Sequence, residues 1–447
     1  MIENTLSLLG HDVVLFLGKA HRLFDGVALK DTQVFQDKVL LHADITEKSL
    51  RDKIKSSVAL FKKAKSLGYK KVLFVFDKQL DQNETVQILK KLEVFNTPFD
   101  TYLEKKTDVI KISVYDMDQS ILDEAKMRSE AVNFARYLVN EPGNVMTPTK
   151  LSTEALNWAN NHNIEVEVYD ESKIKALKMD AFLSVAKGSV EAPKFMVLRY
   201  LNNPESSERI GLVGKGVTYD SGGLAIKSTA GMVTMHSDMG GSAAVIGAIG
   251  LLAAQNAKVN AIAVVAACEN MISGSSFKNG DIIGSMSGKT IEVMNTDAEG
   301  RLTLADAIYY AHSNEGATRI IDIATLTGAA IAALGNQITA VVSDDEAMFK
   351  ALETASIKTQ DKVWRMPVDD ELAQANHATR ADLKNATTVG AGTTTAALFL
   401  KAFADDIPWT HLDIAGTAYG KGSDFDPQGA TGVGVELLSD TVKGFFK

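Results

Sequence analysis

Apolar positions along the chain fall into two recurring rhythms. Short runs such as Val13–Leu17 and Val72–Phe76 are apolar throughout and read as buried strands. Between them, Lys48–Leu67 repeats apolar residues at helical spacing, with lysines at the other positions. This alternation predicts an α/β unit over the first 120 residues. Ser120–Asn140 reads as one long helix, with Met127, Ala131, Phe134, Ala135 and Leu138 along one stripe. Ser120, with Asp123 three positions on, predicts its cap, and Pro142 with Gly143 predicts its end.

The alternation resumes from about residue 143 and becomes richer in glycine. Ile210–Val213, Ala261–Ala267, Arg319–Ala324 and Trp409–Ile414 are strand candidates, with apolar helices at Ser242–Ala254 and Leu302–His312. The expectation is an α/β protein of two domains. A smaller N-terminal α/β domain (1–119) is joined by a linker helix (120–142) to a larger α/β domain (143–447) with a central mixed sheet.

Composition narrows the class. At 447 residues, 45% hydrophobic and 23% charged, the chain has the balance of a globular protein, which excludes disordered and collagenous chains. The apolar runs Ala243–Ala254 and Ala261–Cys268 fall short of the ~18 residues of a bilayer span, so no membrane segment is expected. The N-terminus lacks a cationic stretch, and His11 and Asp12 interrupt its apolar part, so no signal peptide is expected either. The lone Cys268 forms no internal disulfide and no thiolate metal cage, which points to a reducing, cytoplasmic setting.

Net charge is −9, unevenly placed. Residues 1–120 carry 19 basic against 17 acidic side chains, and the remainder 28 against 39. A globally basic nucleic-acid binder is not expected on this balance. Locally, residues 51–91 carry 11 basic against 4 acidic residues, including Lys53, Lys55, Lys62, Lys63 and Lys65. A charge run of this kind is usually a solvated helix face. The alternative is a nucleic-acid-binding or regulatory role for the N-terminal domain.

Several common catalytic motifs are missing. The chain contains no H-E-x-x-H, no G-x-S-x-G and no G-x-G-x-x-G after a strand. Gly284–Thr290 approaches a phosphate loop but has three residues between its glycines where four are needed, and a strand-like stretch follows. Ser287–Lys289 therefore reads as a hairpin turn.

What remains is three clusters of carboxylates beside cationic residues: Lys215, Asp220 and Lys227; Asp238; and Asp297, Glu299 and Arg301. The first and third follow predicted strands, where ligand sites of open α/β sheets gather. In an extended segment, Asp297, Glu299 and Arg301 would share one side. Four carboxylates balance two divalent cations, and such a pair sits about 3.5–4 Å apart in binuclear hydrolases. Taken singly, each aspartate is more simply a turn former or helix cap, and each lysine a solvated charge.

Together the clusters resemble the leucine aminopeptidase (cytosol aminopeptidase) family of two-metal exopeptidases. NTDAEGRL at 295–302 matches the family signature. VGKGVTYDSGG, SMSGKTIEVMNTDAEGRL, ATLTGA at 324–329 and HLDIAG at 411–416 follow the family's order, with NEPGNVMTP at 140–148 as the entry to the second domain. The resemblance implies a leucyl aminopeptidase that releases leucine and other apolar N-terminal residues from short peptides by two-metal-activated water. Lys215, Asp220, Asp238 and Glu299 would hold one metal, and Asp220, Asp297 and Glu299 the other. Zinc or manganese would suit this donor set, with magnesium and cobalt also compatible. Lys227 would stabilise the oxyanion, Arg301 would hold bicarbonate, and Met235, Thr325, Gly328, Ala415 and Ala418 would line the pocket for the first side chain. A cytoplasmic homohexamer acting on peptides, without membrane or nucleic acid, is the implied setting.

The chain departs from the family pattern at His236, where Lys or Arg is frequent, and at Ser228, where proline is frequent. His236 is expected to pack in the site rather than bind metal. Trp409, His411 and Asp413 are expected to support or pack the strand that carries them, and Cys268 to be buried.

Overall fold

The computed structural model describes residues 2–25, 27–36 and 38–446. Two compact units emerge. One is formed by the chain up to Asn133 together with Lys421–Gln428, the other by Phe134–Gly420 together with the chain from Gly429. The boundary falls inside the helix Gln119–Asn140.

In the first unit, strands β1 (Ile2–Thr5), β2 (Val13–Leu17), β3 (Thr32–Phe35), β4 (Lys38–Ala43), β5 (Lys71–Phe76) and β6 (Lys111–Tyr115) form one sheet in the order β1-β6-β5-β2-β4-β3. β2 and β5 are its central strands and almost wholly apolar, because both faces are covered. The helix Leu50–Ser66 is capped by Ser49, whose side chain accepts from the Asp52 amide. The long helix Gln119–Asn140 begins one residue before the predicted cap. Asp118, not Ser120, takes the capping role by accepting from the Ser120 amide at 2.9 Å.

Part of the cationic run on this unit has acidic partners, while Lys62 and Lys63 stay exposed on the helix face. Lys53 is buried against Glu84, Lys62 lies 3.4 Å from Asp424 and Lys91 lies 2.8 Å from Asp426. Between the last two, Phe425 is buried under Arg51 and Lys91, at 3.7 and 4.1 Å from its ring centre. The nucleic-acid alternative finds no support in this arrangement.

The second unit is built on β7 (Glu165–Tyr169), β8 (Lys194–Leu201), β9 (Ile210–Asp220) and β10 (Asn260–Asn270), followed by a short hairpin of β11 (Ile282–Ile283) and β12 (Ile291–Glu292). After these come β13 (Arg319–Ala324), β14 (Thr339–Ser343), β15 (Val363–Arg365), β16 (Leu383–Lys384) and β17 (Trp409–Asp413). Eight of them make a mixed sheet ordered β15-β14-β17-β13-β9-β10-β8-β7, with β17, β13, β9 and β10 parallel at its centre. A separate small sheet is ordered β11-β12-β16. The phosphate-loop look-alike is the turn of the β11–β12 hairpin. Gly288 adopts φ +85° and donates back to Ser285 at 3.0 Å, and no helix follows.

Met235–Ala254 proves long and apolar enough for a membrane span by length and composition, which the separate apolar runs did not suggest. Most of it is buried inside the unit, as in a core helix. Its helix Gly240–Ala254 lies directly on the sheet backbone, since a Cβ on Gly241 would stand 2.0 Å from the Ile323 carbonyl. Only glycine permits that approach. It brings the preceding turn, with Asp238, down onto β9.

Candidate metal centre

β9 carries the first two candidate groups. Lys215 lies in its interior and Asp220 ends it, at the carboxyl edge of the four parallel strands. Asp238 follows a single 3-10 turn (Met235–Ser237), just before the Gly240–Ala254 helix. Asp297 and Glu299 lie in the turn between β12 and the helix Gly300–Ser313. The expectation of an extended 297–301 segment is not met. Glu299 is already helical at φ −75°, ψ −36°, because the chain must reverse from strand to helix within a few residues. The turn converges the carboxylates by another route. Oxygen atoms of Asp220, Asp297 and Glu299 lie within 4.8 Å of one another.

Lys215 is 3% exposed, and its Nζ stands 2.6 Å from Asp238 Oδ2 and 2.9 Å from Glu299 Oε1. It also donates to the Thr325 carbonyl at 3.0 Å. A Cβ on residue 300 would lie 2.3 Å from Lys215 Cε, so Gly300 leaves the room through which this side chain passes. Lys227 Nζ lies 2.8 Å from Asp220 Oδ2 and also contacts Asp297. Arg301 is turned differently. Its Nη1 donates to the Asn385 carbonyl at 2.6 Å, and its buried Nε has no acceptor among the described residues.

The electrostatics show crowded negative charge. Burial raises Glu299 to about 8, with Asp220 and Asp238 adding and Lys215 opposing. Burial likewise raises Asp238 to about 6 against the pull of Lys215, and raises Asp297. Burial disfavours the Lys215 ammonium, but Asp238, Glu299 and Asp220 outweigh it and hold its pKa above the ordinary value. Lys227 behaves in the same way through Asp220 and Glu299. Burial lowers Arg301 to about 10, with Glu299 and Asp413 opposing.

Divalent cations fit this donor set. Among the described residues, Glu299 Oε2 is buried with no donor, while Asp238 Oδ2 and Asp297 Oδ1 lie in ion pairs with Lys215 and Lys227 but have no hydrogen-bond partner. A buried carboxylate oxygen without a donor is costly, and a cation supplies what it lacks. Lys215 must be neutral to act as a ligand. Its proton is held there by carboxylates, and metal cations neutralising those charges would remove the attraction.

Supporting residues outside the three clusters complete the site. Asn270 closes β10 opposite Asp220 and donates to Asp220 Oδ1 at 2.8 Å and to the Thr296 carbonyl at 3.1 Å. The Thr296 hydroxyl donates to the Gly222 carbonyl at 2.8 Å, which ties the first cluster to the third. Thr325 Oγ1 donates to Asp238 Oδ1 at 2.8 Å. Strand register places Asn270, and no spacing rule along the sequence would have marked it.

Of the pocket candidates, Ala418 and Thr325 are brought together over Gly240. A Cβ there would lie 3.2 Å from the first and 3.4 Å from the second. Ala415 donates to Asp413 at 3.1 Å, and Gly328 opens the short helix Gly328–Leu334 with free space beside its Cα. Met235 is half-buried beside His236, which meets the Tyr419 ring edge-on at 5.3 Å. Asp322 on β13 accepts from Trp409 Nε1 at 2.6 Å and pairs with His411 Nδ1 at 2.5 Å. Asp413 accepts from Thr327 Oγ1 at 2.5 Å and from the Leu326 amide at 3.2 Å, and so holds the 324–329 loop. Cys268 is fully buried in β10, and burial pushes its thiol well up.

The model of the cytosol aminopeptidase family's catalytic domain matches residues 133–439. The chain belongs to the cytosol aminopeptidase family. It is accordingly a metal-dependent aminopeptidase, a hydrolase that acts on peptides. It is 44% identical to the probable cytosol aminopeptidase of Clostridium perfringens, over 95% of this chain and 89% of the relative. The Clostridium tetani counterpart is also 44% identical, over 88% and 80%. The Treponema denticola counterpart is 53% identical over 67% of this chain and 63% of the relative. Identity thus extends through the catalytic region of this cytosol aminopeptidase family member and, in the first case, almost end to end.

Proposed function

We propose that the enzyme holds two divalent cations, zinc or manganese, and removes leucine and other apolar residues from the N-termini of short peptides. The observation that carries this reading is the burial of Lys215 among Asp220, Asp238 and Glu299, with one Glu299 oxygen lacking a donor among the described residues. Lys215, Asp220, Asp238 and Glu299 would hold one cation, and Asp220, Asp297 and Glu299 the other. Two such ions acidify water and polarise a carbonyl at neutral pH.

The chain's own residues do the rest. Lys227, kept protonated by Asp220 and Asp297, is a fixed positive donor for the oxyanion that forms when the first peptide carbonyl is attacked. Arg301 is clamped through one nitrogen and has Nε to spare, so it is the residue that would hold a bicarbonate ion as proton acceptor. The apolar floor formed by Ala418 and Thr325 over Gly240 would receive the first side chain, with Met235, Gly328 and Ala415 beside it.

We take residues 143–447 as the aminopeptidase domain, 120–142 as the linker helix and 1–119 as an N-terminal domain. A homohexamer is the assembly the family resemblance suggests. A cytoplasmic location agrees with the names of the relatives. Hydrolysis of leucyl-p-nitroanilide by chelator-stripped protein, before and after adding manganese or zinc, tests the reading. Activity that returns with metal and is absent for N-acetyl-leucyl-p-nitroanilide supports it. Silence with both metals overturns it.

A further inference from the structure

Asn385 belongs to none of the sequence clusters, yet more of the metal-centre turn converges on it than on any ligand. It is fully buried and follows β16, which runs parallel to β12 with Leu383 opposite Ile291 and Lys384 opposite Glu292. Its own amide continues this ladder by donating to the Glu292 carbonyl at 3.1 Å. The chain leaving β12 then wraps around the Asn385 side chain. Oδ1 accepts from the Met294 amide at 2.7 Å and the Asn295 amide at 3.2 Å. Nδ2 donates to the Asn295 carbonyl at 2.7 Å and the Ala298 carbonyl at 3.2 Å. The main-chain carbonyl of the same residue accepts from Arg301 Nη1 at 2.6 Å.

We propose that Asn385 is a positioning residue that sets both the metal-holding turn and the Arg301 guanidinium. The proposal rests on the two-metal reading above and deepens it. Two donor hydrogens on Nδ2 and one oxygen that accepts twice, on one planar amide, match the amides and carbonyls that the 294–298 turn presents. Among side chains of this length, only a carboxamide offers both. The bonds bracket Asp297 on either side and stop one residue short of Glu299. They therefore fix where the two carboxylates stand relative to Asp220. Through its carbonyl, the same residue fixes how far Arg301 lies from that cluster. One rigid group thus sets the spacing between the candidate ligands and the candidate anion holder. Groups that orient ligands in this way typically change metal affinity 10–100-fold when removed.

Two variants and one control test this with the full-length protein. Asn385→Asp keeps the shape and the accepting oxygen but replaces the donating nitrogen by a second oxygen, whereas Asn385→Ala removes the whole amide. Asn96→Ala, in the first unit, removes a buried side chain that makes two comparable backbone bonds to Ile110, at 2.8 and 2.9 Å. The readouts are the manganese(II) dissociation constant by calorimetry, kcat and KM for leucyl-p-nitroanilide with saturating metal, and the melting temperature. Both Asn385 variants are expected to bind manganese at least tenfold more weakly and to lose kcat at least tenfold, with KM within about threefold. Asn96→Ala is expected to lower the melting temperature and leave affinity and kcat within twofold. If Asn385→Ala does not fold, Asn385→Asp decides. Asn385→Asp with affinity and kcat within threefold of wild type overturns the proposal while the two-metal reading stands. Wild-type protein that takes up no manganese overturns the two-metal reading and this proposal with it.

Discussion

Glu299 Oε1 lies 2.9 Å from Lys215 Nζ, while the other oxygen of the same carboxylate is buried without a donor among the described residues. One side of this carboxylate is neutralised and the other is left waiting. Burial and the Asp220 and Asp238 charges push its pKa upward, so a proton competes with a cation for the metal-free site. Metal affinity should therefore rise with pH. Manganese calorimetry in buffers of different ionisation enthalpy should show net proton release at pH 7. Binding without proton release, or with affinity independent of pH, would contradict this.

Gly300→Ala should disable the site without touching a ligand. The added Cβ would stand 2.3 Å from Lys215 Cε and force the ammonium away from Asp238 and Glu299. Overpacking of this kind costs about 1–3 kcal/mol of stability. Leucyl-p-nitroanilide turnover should fall at least tenfold, with a lower melting temperature. Activity within twofold of wild type would show that Lys215 need not hold its place.

Ala418→Met should narrow the space over Gly240 that Ala418 and Thr325 share. Leucine would lose more than alanine. The leucyl-to-alanyl ratio of kcat/KM should drop about tenfold, the scale on which pockets discriminate small apolar differences. An unchanged ratio would place the first side chain elsewhere.

Asp306 offers a stability test away from the ligands. It is fully buried, accepts from the Phe182 and Met286 amides at 2.9 and 2.8 Å, and is raised by burial to about 7. An unfolded aspartate titrates near 4. Between these values the native state holds more protons than the unfolded state, so this group's contribution to stability falls as pH rises from about 4 to about 7 and then levels off. Asn at this position does not titrate. In urea unfolding, the stability of wild type relative to Asp306→Asn should therefore decline from pH 4.5 to 7.5. A constant or widening difference would contradict the burial argument.

The runs at Val13–Leu17 and Arg319–Ala324 were legible to the residue, because strands covered on both faces are mostly apolar; Asp322 is a buried exception, bonded to Trp409 and His411. β9 was legible only to Val213, although it continues to Asp220. Its second half, Gly214–Asp220, mixes glycines and polar residues with a single valine, and Lys215 is tolerated in a buried strand because carboxylates from two other segments meet it there. The ligand candidates stood out through family motifs rather than through periodicity, and the extended geometry assumed for 297–301 was wrong. Asn270 and Asn385 were invisible for a shared reason. Each acts through strand register, Asn270 opposite Asp220 and Asn385 one step beyond Glu292. Pairing between distant segments leaves no local trace in the sequence.

The central claim is that Lys215 and four carboxylates hold two cations. Counting them tests it most directly. Chelator-stripped protein titrated with manganese to saturation should take up two ions per chain, and Glu299→Ala should take up fewer and lose leucyl-p-nitroanilide hydrolysis at least a hundredfold. A single ion per chain, or two ions held equally well without Glu299, would contradict the account.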